Sequence, residues 1–251
     1  MEPNAYVLAD MTSPETAEAL KTARVAIIPT GSHEQHGPHM ALKTDIANAS
    51  AMALRIAQRL GPRAVLTPPL PFGISPHHMA FPGTITLRPE TFLAVLEDVI
   101  TSLKAHGVNK FFILNGHGGN IPSLEQLMLT IKRDLGVEAA TAQVWPPRDV
   151  MKEHAATSTF GHACDLEASW SLYLAPEVVR KDKLTRGAPK DLGYRHAGGL
   201  VTVAAGFHER TENGALGDGT KASYETGEAL IAPMIDACVE FLEDFVKSDG
   251  S

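Results

Sequence analysis

The sequence predicts an α/β protein: a three-layer α/β/α sandwich around a mostly parallel sheet. Short apolar runs at 25–28, 64–67 and 111–114 read as buried strands. Longer segments of helical apolar spacing separate them. That alternation implies parallel strands joined by crossover helices on both faces of one sheet.

Taken in order, residues 1–22 read as a lead-in with a short helix around 14–22. The run 25–28 is the first strand, stopped by Pro29-Thr30-Gly31. After Asp45, the residues Ile46, Ala49, Ala53, Ile56 and Leu60 recur at helical spacing until Gly61-Pro62. The second strand, 64–67, leads into 71–83, which is rich in Pro, Gly and His and has no period. Phe92, Val95, Leu96, Val99, Ile100 and Leu103 mark an amphipathic helix ending at Gly107. The strand 110–114 follows. Leu124, Leu127, Met128, Ile131 and Leu135 mark the next helix, closed by Gly136. Residues 137–144 read as a strand and 145–161 as an irregular segment whose Trp145-Pro146-Pro147 suits a pocket wall. A helix opens within 161–169 and stops before Pro176. Residues 181–196 are a polar surface excursion, 201–203 a late strand, and 214–219 a loop into the last helix. Pro233 inside that helix predicts a kink or a break.

The 251 residues are read as one domain, 1–251, because no composition shift marks a boundary. A formal charge of −7 with no Lys/Arg block argues against nucleic acid or an anionic membrane as partner. No apolar run approaches the ~20 residues of a membrane span. Cys164 and Cys238 are the only cysteines, which is no disulfide framework. Met1 to Asn4 offer neither a basic nor an apolar leader segment, so the expected location is the cytoplasm. The expected partner is a small molecule.

Chemistry concentrates at two strand ends. Glu34, His36 and Asp45 follow the first strand; His117 follows 110–114. In open α/β sheets, ligands bind beyond that edge, and mixed carboxylate and imidazole donors suit divalent transition metals such as zinc. Asp45 alone would be an ordinary helix-start carboxylate; beside Glu34 and His36 it reads as a ligand. Ser75, His77 and His78 either line a substrate pocket or sit in a solvated loop. Cys164 beside His162 would make a cysteine nucleophile, but that leaves Glu34, His36, Asp45 and His117 without a role.

Glu-Gln-His-Gly-Pro-His at 34–39, Thr44-Asp45, Phe81-Pro82-Gly83-Thr84, Asn-Gly-His-Gly-Gly-Asn at 115–120 and Gly217-Asp218 resemble the creatininase family of metal-dependent amidohydrolases. The motifs stand in matching order over most of the chain. The resemblance implies hydrolysis of a small cyclic amide or related C–N bond with two divalent ions per chain, zinc first and manganese or iron as alternatives. It makes Asp45 the bridge, with Glu34 and His117 on one ion and His36 on the other. Creatininase itself supplies a further glutamate two residues after its equivalent of His117; here that position is Gly119. This chain resembles the members with a Gly-Gly pair, where a glutamate of a later helix serves, which points to Glu167. His162 matches the family's proton-transfer histidine, Ser75, His77, Gly118 and Asp165 fall to the substrate, and His39 would orient a ligand. The other histidines have no comparable match. The family reads approximately His-Ala-Gly-Glu-x-Glu-Thr-Ser where this chain has Cys164, Asp165 and Ala168 for Gly, Glu and Thr. Within the family, a formamide deformylase, a short-peptide hydrolase and a ring-opening hydrolase of an oxidised cyclic polyol are the alternatives. A metal-dependent sugar isomerase or a non-catalytic metal-binding subunit lies outside it. Homo-oligomerisation, as a hexamer, is also implied.

Overall fold

A computed structural model describes residues 5–158, 160–193 and 203–248. Five strands, β1 (Tyr6–Val7), β2 (Val25–Thr30), β3 (Ala64–Leu66), β4 (Lys110–Asn115) and β5 (Glu138–Gln143), form one sheet in the order β1-β3-β2-β4-β5. Every pairing is parallel. Among the described residues the α-helices are α1 (Ser13–Thr22), α2 (Thr44–Leu60), α3 (Pro89–Ala105), α4 (Ile121–Leu135), α5 (Arg148–His154), α6 (Asp165–Leu174), α7 (Phe207–Arg210) and α8 (Tyr224–Phe245).

The period-two alternation of a strand assigns its side chains to two cores. Val25, Ile27, Phe112 and Leu114 face one cluster, filled by Met52 and Ile56 of α2, Leu166 and Trp170 of α6 and Ile231 of α8. Ala26, Ile28, Phe111 and Ile113 face the other, with Phe92, Leu96 and Ile100 of α3 and Leu124 and Ile131 of α4. The sheet is therefore covered on both faces, as the continuous apolar runs require. Each fully buried Phe or Ile contributes about 1.5–3 kcal/mol, enough for β2 and β4 to anchor whatever their ends carry.

Several expectations shift. β2 continues through Pro29 to Thr30, because Pro29 gives up only its donor: its carbonyl still accepts from the Leu70 N–H at 2.9 Å. β1 has no counterpart in the sequence pattern; it is two residues long and gains its place by pairing with β3 at Tyr6↔Val65. The segment 145–161 contains α5, a seven-residue helix that buries only Met151 and so leaves no periodic signal. α8 runs unbroken through Pro233. That proline is on the exposed side, where water can take the freed carbonyl while the other face stays packed. Residues 201 and 202 of the expected late strand, and His196, lie outside the described residues. Among the described residues, no helix is long and apolar enough to cross a membrane.

Candidate metal centre

β2 leads to β3 on one side, and β3 leads to β4 on the other. The sheet therefore has its switch point between β2 and β4, where Thr30 pairs with Asn115. A crevice opens there beyond the carboxyl ends. The loop after β2 carries Glu34 and His36, and the loop after β4 carries His117. Asp45 sits in the first turn of α2, where free N–H groups favour a carboxylate. Glu167 sits in the first turn of α6, with His162 in the loop before it. Gly116 lets β4 approach α2: a Cβ there would lie 2.3 Å from the Asp45 carbonyl oxygen.

Two asparagines fasten these loops together. The Asn115 amide donates to the His117 carbonyl at 2.7 Å, and the Asn120 amide donates to the Gly31 carbonyl at 3.1 Å. Asn120 Oδ1 accepts from the Ile74 N–H at 3.0 Å, which ties in the 71–83 segment. Sequence reasoning misses both as functional residues, although both stand in the 115–120 motif.

The imidazoles are oriented by backbone carbonyls. His36 Nδ1 donates to the Glu34 carbonyl at 3.0 Å, which turns Nε2 toward Asp45 Oδ1 at 2.9 Å and Glu167 Oε1 at 3.5 Å. His117 Nε2 donates to the Ile74 carbonyl at 3.0 Å. Its Nδ1 then faces Glu34 Oε2 and Asp45 Oδ2, each at 3.2 Å. The two oxygens of Asp45 are thus divided between two histidines. Although buried, His36 Nε2 and Asp45 Oδ2 have no aligned hydrogen-bond partner. Buried polar atoms are ordinarily satisfied, and these face a space between nitrogen and oxygen donors. His36, Asp45 and Glu167 form one group with ligand atoms within 4.8 Å of one another; Glu34, His77 and His117 form another, and Glu34, His36 and His162 a third. Such donor sets fit divalent cations of zinc type.

Charge crowding gives the same picture. Burial works against ionisation throughout. Even so, Glu34 and Asp45 raise the His117 imidazole to about 10, and Asp45 and Glu167 hold His36 well above its ordinary value. In turn His117 holds Glu34 below the usual carboxylate range despite its burial, and His36 does the same for Asp45. Three carboxylates this close demand positive charge, from protons or from cations. His162 moves the other way. Burial, with His36 nearby, lowers its pKa, so it rests neutral. Its Nε2 donates to the Gln35 carbonyl at 2.8 Å, leaving Nδ1 as an acceptor 3.9 Å from Glu34 Oε1 and 3.8 Å from Glu167 Oε2.

Gly119 has no room for a side chain. A Cβ there would lie 2.2 Å from the Ile74 carbonyl oxygen and 2.4 Å from His117 Nε2, the two atoms that hydrogen-bond to each other. This position therefore offers no carboxylate. Glu167 approaches His36 from α6, with Oε1 3.5 Å from His36 Nε2 and Oε2 held by the Ala163 N–H at 2.5 Å. Ala163 is strained, with φ at 45°. Its carbonyl lies 3.0 Å from His39 Nε2, so the peptide between His162 and α6 is gripped from two directions.

The remaining predicted residues divide. Ser75 is fully buried; its hydroxyl donates to Glu34 Oε2 at 2.5 Å and lies 3.1 Å from His117 Nε2. Asp165 accepts from the Ala156 N–H at 2.8 Å, which pins the loop that leads to His162. His77 and Gly118 line an outer cleft of about 640 Å³. Gly118 also lines an inner chamber of about 240 Å³ beside Glu34, Asp45, His117, His162 and Glu167, with Trp145, Arg148 and Trp170 on its far wall. The solvated-loop reading fails for Ser75 and His78, which are both buried. His78 Nε2 lies 3.4 Å from Glu34 Oε1, and Phe207 stacks on its ring at 4.4 Å. Burial pushes the Cys164 thiol up to about 12, with Glu167 adding to the effect. A thiol so placed is no nucleophile at neutral pH, which removes the cysteine-enzyme alternative.

The family model for creatininase, described as creatinine amidohydrolase, matches residues 9–242. The chain belongs to the creatininase family. It is therefore a hydrolase by membership, and curated relatives show how widely that membership ranges. It is 30% identical to the mycofactocin precursor peptide peptidase of Mycolicibacterium smegmatis, over 86% of this chain and 83% of that protein. It is 26% identical to the 3-dehydro-scyllo-inosose hydrolase of Thermotoga maritima, over 98% of this chain and 85% of that protein. Its backbone matches a mutant creatininase of zinc–zinc type with a TM-score of 0.82. That match covers 97% of this chain and 99% of the other at 22% identity, a likeness of fold.

Proposed function

We propose that this creatininase-family enzyme hydrolyses the C–N bond of an amide at two divalent ions, held by Glu34, His36, Asp45, His117 and Glu167. Zinc is the first expectation, with manganese or iron as alternatives. The observation that carries the reading is Asp45, whose two oxygens are divided between the inward nitrogens of His36 and His117. When bound, divalent ions supply Lewis acidity, lowering the pKa of water toward ~7 and polarising a carbonyl oxygen.

The protein does the rest. Ser75 fixes Glu34 and His117 in one arrangement, and Asp165 and the gripped Ala163 peptide fix His162 and Glu167. His162, neutral at rest with its Nε2 proton committed to Gln35, takes a proton from attacking water at Nδ1. It then delivers that proton to the leaving nitrogen, a transfer suited to an imidazole. Trp145, Trp170 and Phe207 narrow access to water around it.

A linear amide such as a short peptide fits best, because Gly118 is common to the walls of the chamber and of a cleft more than twice its volume. The small cyclic amide is the second reading, favoured by the size of the inner chamber alone. Elemental analysis of protein purified without chelator should find about two divalent ions per chain, and fewer than one after reconstitution would reject the centre. Turnover of a dipeptide amide against creatinine by the reconstituted enzyme separates the two substrates.

A further inference from the structure

The outer cleft carries a charge that nothing in the fold answers. Arg210, the last residue of α7, lines it together with Pro76, His77, Gly118 and Phe207. Its Nε is buried and without a partner. Arg59, Arg63 and Arg186 each meet a carboxylate, whereas Arg210 forms no ion pair or side-chain hydrogen bond among the described residues. Among the described residues no acidic side chain lines the cleft, in a chain whose formal charge is −7. A half-buried guanidinium without an acceptor, on the wall of a cavity that shares Gly118 with the chamber beside the carboxylate and imidazole cluster, fits a ligand better than it serves stability. The guanidinium fork matches a carboxylate or phosphate group in two parallel hydrogen bonds.

We propose that Arg210 is a specificity residue that binds an anionic group of the substrate. The anion sits in the outer cleft while the scissile amide occupies the inner chamber, so the substrate is acidic and longer than a single small ring. Carboxylate and phosphate share this chemistry. The placement of the amide rests on the hydrolase reading above; the anion site itself does not.

Three probes test it by titration calorimetry on the metal-loaded enzyme: N-acetylglycylglycine, its C-terminal amide, and N-acetyl-O-phosphoserine amide. At least one charged probe should bind about tenfold more tightly than the neutral amide, and which one does identifies the anion. In Arg210→Gln that preference should fall to within about twofold, with metal content unchanged, while Arg210→Lys keeps part of it because the charge survives and the fork does not. Equal binding of charged and neutral probes by the wild-type enzyme overturns the proposal, and so does absence of binding by all three. A preference that persists in Arg210→Gln, or that Arg148→Gln removes instead, overturns it too. If the hydrolase reading fails instead, metal content falls below one ion per chain while the Arg210-dependent preference remains.

Discussion

Glu34, His36, Asp45 and His117 stand on loops seated directly at the ends of β2 and β4 or on the first turn of α2. All four are buried; backbone carbonyls orient His36 and His117, and the Ser75 hydroxyl holds Glu34. Arg148, Phe207 and Arg210, which line the chamber and the cleft outside, stand on helices of seven and four residues. The difference follows from what each half holds. Buried like charges cost several kcal/mol when misplaced, so the ligand cluster needs the stiffest part of the fold beneath it. Of these wall residues only Phe207 packs against the centre, on His78 and His162, so most of the wall can vary without dismantling the cluster.

Replacing Asp45, the bridge on the proposed two-ion reading, should separate the halves most sharply. Asp45→Asn should hold fewer than one ion per chain and lose at least ~10³-fold in kcat/KM, about 4 kcal/mol of transition-state stabilisation. Metal analysis beside a steady-state assay checks both; retention of two ions would break the division. Next comes Glu167→Gln, which should keep about one ion and lose ~10²-fold or more in rate, because a neutral amide is a weaker ligand. Asp165→Asn, in the same helical turn, should keep both ions and change turnover. The reverse pattern would reassign the fifth ligand.

The pH response sharpens the contrast further. His36 and His117 titrate higher in the folded chain than in the unfolded one. In metal-free protein their stabilisation is therefore fully present below ~6.5 and is lost as pH rises, for His117 toward about 10. Urea unfolding of the apoprotein at several pH values in that window should show the decline. Zinc affinity should rise over the same window, as protons leave the ligands. A flat apoprotein profile would mean the cluster is not charged in this way. Gly119→Ala should lower apoprotein stability by ~2 kcal/mol, or about 4–8 °C in Tm, by forcing the Ile74 carbonyl from His117. The smallest effect belongs to the outer wall. Phe207→Leu should leave metal content intact and reduce kcat/KM by ~5–10-fold, from loss of stacking on His78 and of the edge contact with His162.

The same division decides what is legible in the sequence. The runs 25–28 and 111–114 are apolar on both faces because both faces are covered, so β2 and β4 are visible, and the polar residues just past them stand out. Asp45 and Glu167 are visible as acids at helix starts, yet spacing alone cannot prefer Glu167 to Asp165. That preference comes from the family motif. α7, four residues long, and the Arg210 it carries have no period to detect. His78 is unreadable for another reason: in a segment without periodicity, burial depends on Phe207, more than a hundred residues away in sequence, closing over it.

Gly119 also bears on how enzymes of this kind can evolve into one another. On the two-ion reading proposed above, a loop carboxylate two residues past the β4 histidine and a carboxylate on the later helix would be alternative answers to one need. No single substitution would exchange them here. Adding Glu at 119 first drives a Cβ into Ile74 and His117, while losing Glu167 first would remove the proposed ligand. The double variant Gly119→Glu, Glu167→Gln should therefore hold no more metal than Glu167→Gln alone. On that reading each order of mutation should pass through a variant with less metal than the parent, so a switch between the two arrangements would need the backbone around Ile74 to move first.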